Sequence, residues 1–230
     1  MHSAQLPIGA SLNTLSAGLI LLCAFAMVGT RQVQGVVRFF VTQSLLLAAS
    51  SFLLAFDERS IHLWALGAIT IGAKVILIPW VLKRTLAPEL YERREIEQAL
   101  NIPISLLLAL LLAIVAELLV GPISSASRNP VIAINLPIGL ACVLIGAYSL
   151  VARREAIPQL IGILAMENGA FLAGIAIASE LPLIAELAVA IDVVLIAVIV
   201  GLLTRNIEEK IGTTEPAALS ELKEDPVRWR

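Results

Sequence analysis

The sequence contains few of the side chains that catalysis, metal binding and disulfide bonding require. Its two cysteines, Cys23 and Cys142, lie alone within apolar segments, with no other cysteine or histidine at ligand spacing. This isolation indicates neither a disulfide framework nor a metal site. The motifs CxxC and HExxH and a phosphate-binding glycine loop are absent. The net charge of -2 provides no basic stripe for nucleic acid.

Charged residues are also scarce, at 15% of the chain, whereas hydrophobic residues make up 59% and the mean hydropathy is +0.93. Soluble domains contain about a quarter charged residues. Runs of roughly twenty apolar residues, the length that a helix needs to cross a bilayer, follow one another along the chain. Aromatic residues are only 5% of the total, which favours packed helices over an outer-membrane barrel. The sequence therefore predicts an all-α integral membrane protein.

The apolar segments predict seven transmembrane helices followed by a polar tail. We place the helices at 9–29, 35–56, 60–82, 101–121, 130–152, 157–179 and 182–204, and the tail at 206–230. The residues before the first apolar run contain no lysine or arginine. Because a cleavable signal peptide begins with positive charge, we expect the first helix to remain in the protein.

Basic residues in the connections predict the orientation of these helices. Twelve lie in loops one, three and five and in the tail, whereas only two, Arg59 and Arg128, lie on the other side. Cytoplasmic loops of membrane proteins are enriched in lysine and arginine. The distribution therefore predicts an N-terminus outside and a cytoplasmic C-terminus, which requires an odd number of spans.

The third loop is the only long connection, and its sequence LAPELYERREIEQAL predicts a short cytoplasmic helix at 86–100. Pro88 suits the first turn of such a helix. Apolar residues recur on one side of it, at Leu86, Leu90 and Ile96. This face could rest on the membrane interface or bind a partner, and both possibilities stay open.

Three ionisable residues lie too deep within the predicted helices to reach water at either end. Counted from the outer ends at 1.5 Å per residue, Lys74 is about 20 Å deep, Glu167 about 18 Å and Asp192 about 15 Å. Each ionised group at such a depth costs about 2.5 to 3.5 kcal/mol on insertion scales. Lys74, Glu167 and Asp192 are therefore expected to face protein, water or each other.

Three other charged residues lie closer to the ends of the predicted helices. Arg38 is about one turn inside helix two, and Glu117 and Glu186 lie within about one turn of the outer ends. A side chain in such a position can extend to the membrane interface. We therefore expect Arg38, Glu117 and Glu186 to be interfacial.

Small residues accompany the deep carboxylate in helix six. Ala170, Gly174 and Ala178 follow Glu167 at i+3, i+7 and i+11, so they share its side of the helix. Small residues at this spacing allow two membrane helices to approach closely. The pattern predicts that Glu167 lies on the face that packs against another helix.

Polar groups accompany the deep lysine in helix three. Gly67 and Thr70 share the helix face of Lys74. Pro79 has no N–H, so it would free the carbonyl of Val75, one residue from Lys74, from its helical bond. This carbonyl would suit a water molecule or a carboxylate partner.

Two interpretations of Lys74, Glu167 and Asp192 stay open. As a static polar clamp, the three residues would fix helix packing, as buried ionic groups do in some proteins. As a segment of a proton path, the acids would change protonation with their contact to the ammonium, because burial favours the neutral acid and a nearby cation favours the carboxylate. A retinal-binding lysine is disfavoured, because Lys74 is in the third helix and aromatic residues are few.

Residues 153–172, RREAIPQLIGILAMENGAFL, resemble the second helix of the K subunit of complex I, where paired arginines precede an LIG segment, an intramembrane glutamate and an asparagine. Together with the segment ITIGAKVILIPWVLKR, the MENG motif and the full length resemble the E component of the hydrogenase-4 family, found in formate-hydrogenlyase-type membrane complexes. Thr70 and Asn168 lie in these motifs and are candidate supporting residues beside Glu117 and Arg38.

The resemblance implies an organisation and a set of partners. Residues 130–205 would form a K-subunit-like unit of three helices, preceded by a four-helix region at 1–129. In a bacterial or archaeal cell membrane, the chain would lie beside larger antiporter-like subunits in a complex whose soluble arm carries the redox centres. It would contain no catalytic residue and bind no cofactor, and it would contribute to a proton path coupled to electron transfer.

Two further functions stay open. A subunit of a multisubunit cation/proton antiporter shares the K-like unit and needs no redox partner, but it is usually much shorter. The additional N-terminal helices and Lys74 favour the hydrogenase-type subunit. The third possibility is a structural assembly subunit whose buried charges serve packing alone.

Overall fold

The computed structural model describes residues 8–85, 100–127 and 129–177, which fold into helices. The helices are α1 (Ile8–Gly29), α2 (Val33–Glu58), α3 (Ile61–Thr70), a π-helix (Ile71–Leu77), α4 (Ile78–Thr85), α5 (Ile102–Ala126), α6 (Pro130–Ala152) and α7 (Ala156–Ile177). Because α3, the π-helix and α4 follow one another without a break, they form one span.

Six stretches of the described residues are long and apolar enough to cross a membrane. They correspond to the first six predicted helices, and their ends differ from the predicted ends by at most five residues. The prediction of an all-α chain with membrane-spanning helices is confirmed for these six. The helix predicted at 182–204 and the tail at 206–230 lie outside the described residues, as does the loop helix at 86–100 except for Leu100.

The largest difference from prediction is the length of α5. This helix passes through Pro122 and ends at Ala126. Membrane helices tolerate proline because neighbouring groups and local adjustments satisfy the backbone that proline frees. Glu117 therefore lies nine residues before the end of its helix, and its predicted place within one turn of that end is wrong.

Connections of two or three residues make α1 and α2, α2 and α3, α5 and α6, and α6 and α7 antiparallel neighbours. Local side chains fix two of these turns. Arg59 ends α2 with a left-handed backbone, φ 53°. At the start of α6, the side chain of Asn129 accepts the N–H of Val131 at 2.9 Å, and Pro130 occupies the first turn. These residues define sharp boundaries between spans.

One contact between helices marks each end of the bundle, and each end takes its name from a residue in that contact. At the Arg153 end, Arg153 follows α6 and donates a hydrogen bond to the carbonyl of Met27 near the end of α1. At the Asp57 end, the carboxylate of Asp57 in α2 lies beside Gly9 in α1. Helices α1 and α2 therefore run in opposite directions between these ends.

Four glycines bring α6 and α7 into close contact. A Cβ atom added at Gly139 would lie 2.6 Å from the backbone nitrogen of Ala173, and one at Gly146 would lie 2.7 Å from that of Met166. From the other side, a Cβ at Gly169 would lie 2.7 Å from the carbonyl oxygen of Gly139. A Cβ at Gly162 would lie 3.3 Å from the carbonyl oxygen of Gly146, which is a looser approach. Such backbone contact is possible only without side chains, and it fixes the position of α7.

Helix α2 occupies the centre of the described bundle. It packs against α1, α3, the π-helix and α7, and its inward face includes the buried polar residues Gln43, Ser44, Ser50 and Ser51. Helix α5 packs on α1 and α6 and leaves a broad face of leucine and isoleucine exposed. The mostly apolar interior therefore contains a set of buried polar side chains, and one outer face of the described bundle is apolar.

Candidate functional site

The π-helix at Ile71–Leu77 places Lys74 in the middle of the third span. Its wider turn joins the N–H of Ile78 to the carbonyl of Ala73, five residues earlier instead of four. Pro79 follows directly, and in a regular α-helix its ring would collide with the preceding turn. A π turn relieves that collision and satisfies backbone groups that proline frees. Such turns are rare and occur frequently at functional sites.

Lys74 forms an ion pair with Glu167 of α7. The Nζ atom of Lys74 lies 3.1 Å from Oε2 of Glu167, and the two side chains are 0% and 7% exposed. Each residue is at least ten residues from both ends of its span, so the pair lies near the middle of the bundle. The two charges therefore compensate each other where the protein excludes water.

Asn168 connects this ion pair to α2. Its Oδ1 atom accepts a hydrogen bond from Lys74 Nζ at 3.0 Å, and its Nδ2 group donates to Ser44 Oγ at 2.9 Å and to Gln43 Oε1 at 3.3 Å. Gln43 in turn donates to the carbonyl of Ile20 in α1 at 3.4 Å. A continuous set of hydrogen bonds thus joins α1, α2, the π-helix and α7.

An aromatic ring forms one wall of the site. Lys74 Nζ lies 4.6 Å from the ring centroid of Phe171, one turn beyond Glu167 on α7. At this distance the ring attracts the ammonium through a cation–π interaction. The ammonium of Lys74 therefore has a carboxylate, an amide oxygen and an aromatic face as neighbours.

The groups at this site suit proton binding better than bond-making chemistry. The carboxylate of Glu167 and the ammonium of Lys74 can each exchange a proton, whereas the hydroxyl and amides beside them can only donate or accept hydrogen bonds. Across the described residues, no group of three or more histidine, cysteine or acidic side chains is placed to hold a metal ion. The arrangement can hold a charge and can pass a proton if the pair separates.

The other predicted site residues lie at different places. Thr70 is buried, four residues before Lys74. Arg38 is exposed on α2, and its carbonyl accepts the hydroxyl of Thr42 at 2.9 Å. Glu117 is exposed on α5, while Asp192 and Glu186 lie outside the described residues. The structure thus brings Lys74, Glu167 and Asn168 together and places Arg38 and Glu117 on outer faces.

The small-residue stripe predicted beside Glu167 is wrong at its first position. Ala170 is exposed rather than packed, and the close contact with α6 is made by Gly162 and Gly169. Glu167 reaches Lys74 from a neighbouring side of α7. The spacing of two glycines seven residues apart on both α6 and α7 could have indicated the true interface.

Sequence reasoning also missed the polar residues contributed by α1, α2 and α6. Besides Gln43 and Ser44, a second buried cluster joins Asn13 to Asn135: Asn13 Nδ2 donates to Asn135 Oδ1 at 2.9 Å, and Asn135 Nδ2 donates back to Asn13 Oδ1 at 3.3 Å. The hydroxyl of Ser50 donates to the same Asn13 oxygen at 2.5 Å. The amide and hydroxyl side chains in the middle of apolar runs could have indicated these buried polar clusters.

Arg153 is the buried charge at one end of the bundle. It is 3% exposed and donates to the carbonyl of Met27. Burial lowers the pKa of its guanidinium to about 10, while Tyr148 and Glu155 nearby raise it. At this pKa the group stays protonated at neutral pH and holds α6 to α1 by a charged hydrogen bond.

The chain is similar to known proteins along nearly its whole length. It is 28% identical over 210 residues to an uncharacterized protein of Mycobacterium tuberculosis, covering 91% of this chain and 94% of that protein. It is 26% identical over 212 residues to Hydrogenase-4 component E of Escherichia coli K12 and of Shigella flexneri, covering 90% of this chain and 95% of each relative. No family model and no solved structure matches the chain. The similarity supports the predicted resemblance to the E component, while the likeness of residues 130–205 to the K subunit stays a prediction.

Proposed function

We propose that this chain is a membrane subunit of a hydrogenase-4-type or complex-I-like respiratory complex, and that Lys74 and Glu167 form one segment of its proton path. The similarity to Hydrogenase-4 component E over nearly the full length supports the first statement. The proposed proton path is supported by the buried ion pair, in which Nζ of Lys74 on the π-helix lies 3.1 Å from Oε2 of Glu167 on α7.

Glu167 is the group that takes up and releases the proton. While Lys74 is in contact, its positive charge favours the carboxylate. When the ammonium moves away, the desolvated carboxylate binds a proton, because an unpaired charge at this depth is costly. A repeated change in the Lys74–Glu167 contact would therefore bind and release one proton per cycle.

The π-helix supplies an element that can change this contact. Each of its backbone hydrogen bonds spans one residue more than in the α-helices around it. Conversion to a regular α-helix would rotate Lys74 relative to α4 by about 100°, the angle of one residue. Asn168 and Ser44 would hold the ammonium in the paired position, so their hydrogen bonds would set how readily it leaves.

The remainder of the path and the surroundings follow from the sequence and the resemblance. Asp192, outside the described residues, would be the next acid of the path. The chain would lie in a bacterial or archaeal cell membrane with its C-terminus in the cytoplasm, as the basic residues indicate. Larger antiporter-like subunits and a soluble redox arm would be its partners.

One observation favours a second candidate, the static clamp. Lys74 is held by Glu167, by Asn168 and by the ring of Phe171 at once, and such a well-partnered cation can serve packing alone. In that case the charges would matter for assembly and not for proton movement. The proton path and the clamp predict different effects of replacing the Glu167 carboxylate by a neutral amide of the same shape.

The decisive experiment replaces Glu167 by glutamine in the intact membrane complex. Glu58→Gln, the same change at an exposed carboxylate at the Asp57 end, is the matched control. Assembly is followed by native electrophoresis, and proton translocation by a pH-sensitive dye in inverted membrane vesicles. We expect Glu167→Gln to assemble and to lose proton translocation, and Glu58→Gln to retain both. Loss of assembly in Glu167→Gln would support the clamp, and normal assembly with unchanged translocation would refute a proton path through Glu167.

The identity of the complex is tested by purification from native membranes. Nickel-hydrogenase or complex-I-like subunits should purify with the tagged chain, and electron transfer through them should drive the dye response. Recovery of a cation/proton antiporter set without any redox subunit would replace the hydrogenase-type function by the antiporter function.

A further inference from the structure

Glu117 lies on the outer face of α5, within the thickness that a membrane core would occupy. It is exposed, and it lies nine residues before the end of the helix and fifteen after its start. At 1.5 Å per residue these separations are about 13 Å and 22 Å, so a short carboxylate side chain reaches water at neither end. No hydrogen bond or ion pair joins Glu117 to the described part of the chain.

The surroundings of Glu117 are apolar and exposed. Ile114, one turn earlier, is 49% exposed, and Leu118, the next residue, is 71% exposed. Such a face is expected against lipid, yet an ionised group in lipid costs about 2.5 to 3.5 kcal/mol on insertion scales. The carboxylate therefore indicates that a protein, rather than lipid alone, covers this part of α5.

Two further features shape the surface beside the carboxylate. Gly121 lies one turn beyond Glu117, and a Cβ atom added there would be 3.8 Å from Oε1, so the carboxylate lies over a residue without a side chain. A glycine on an outer face lets a neighbouring helix approach closely. Pro122 has no N–H, so the carbonyl of Leu118 lacks its usual helical donor.

We propose that the patch formed by Ile114, Glu117, Leu118 and Gly121 docks a transmembrane helix of another subunit, and that this helix places a lysine or arginine against Glu117. The patch is complementary to a cation, because it presents a carboxylate and a freed carbonyl, both of which are hydrogen-bond acceptors. A side chain with several N–H donors and a positive charge satisfies both at once.

Other occupants fit the patch less well. A second copy of this chain related by a two-fold axis would bring two carboxylates together, which is unfavourable unless one is protonated. A lipid headgroup at the nearer end of α5 would be about 13 Å from Glu117 along the helix, beyond the reach of the glutamate side chain. Residues of this chain outside its described part could also cover the patch, and crosslinking distinguishes them from another subunit because they would form an adduct within the chain.

The contact is mapped by a photo-crosslinking amino acid at position 114 in the intact complex. Leu119, which is exposed on a different side of α5, is the matched control position. We expect position 114 to form an adduct with a transmembrane segment of a different subunit that contains lysine or arginine, identified by mass spectrometry, and position 119 to form none with it. An adduct within the chain, with a second copy of it, or with lipid alone would overturn the proposal.

Charge reversal tests the ion pair itself. Glu117→Lys should reduce the amount of the identified subunit that purifies with the chain by about tenfold, whereas Leu119→Ala should leave it unchanged. Reversal of the identified basic residue to glutamate should restore the yield with Glu117→Lys. Equal yields for Glu117→Lys and the wild type, or no restoration by the second reversal, would refute the contact. These outcomes do not depend on proton translocation, so they are independent of the role of Glu167.

Discussion

Removal of both partners of the buried ion pair should destabilise the protein by less than the sum of the two single removals. Lys74→Met keeps most of the length of the side chain without its charge, and Glu167→Gln keeps the shape of the carboxylate without its charge. Because the pair is 0% and 7% exposed, each single variant leaves one charge without its counter-ion in the interior. Breaking a buried pair in this way costs about 3 to 5 kcal/mol.

The double variant removes both charges and leaves neither uncompensated. We expect its cost to be smaller than the sum of the single costs by about 1 to 3 kcal/mol, the usual range for residues in direct contact. Asn168 accepts a hydrogen bond from Lys74 at 3.0 Å, so part of each Lys74 effect comes from this amide and is shared by the single and double variants.

The free energy of unfolding of all four proteins is measured in lipid bicelles under identical conditions. As a control cycle, Lys74→Met is combined with Glu58→Gln, which changes an exposed carboxylate at the Asp57 end. The control pair should be additive. If Lys74→Met and Glu167→Gln were also additive within about 0.5 kcal/mol, the two charges would not interact in the membrane and the reasoning would be refuted.

Two further variants test the packing that supports the site. Gly139→Ala should lower the free energy of unfolding in bicelles, because its Cβ would lie 2.6 Å from a backbone nitrogen of α7. The control Gly18→Ala meets nothing within 4 Å and should be neutral or stabilising. Equal effects of the two variants would mean that α6 and α7 are not in contact at Gly139. Asn13→Ala should lower the free energy of unfolding by about 1 to 3 kcal/mol, because it leaves Asn135 and Ser50 buried without their partner. An unchanged free energy of unfolding would show that water replaces the Asn13 amide.

The spans and the deep charges were predictable because both depend on spacing along the chain. The length of an apolar run gives a helix, and counting residues from its ends gives the depth of a charge such as Lys74 or Glu167. The error at Glu117 arose because the helix was predicted to end at residue 121, whereas α5 continues through Pro122 to Ala126. Depth is therefore only as reliable as the predicted helix end.

The partners of the ion pair were not predictable in the same way. Contact between Lys74 and Asn168, or between Asn168 and Ser44, depends on how the helices are rotated against one another, and a single apolar span carries little information on rotation. Glycine was the exception, because a glycine can indicate the side of a helix that packs closely against another. Gly139 and Gly169 mark these sides on α6 and α7. The π-helix follows from Pro79 only in hindsight, because proline can also kink or end a helix.

The second polar cluster bears on the choice between a clamp and a proton path. Asn13 and Asn135 join α1 to α6 with neutral groups, so this chain already contains a buried clamp that carries no charge. A neutral pair avoids the desolvation cost that two ions incur in the interior. If Lys74 and Glu167 served packing alone, amides would serve as well at lower cost. The charges of Lys74 and Glu167 therefore favour the proposed proton path, because amides cannot bind and release a proton.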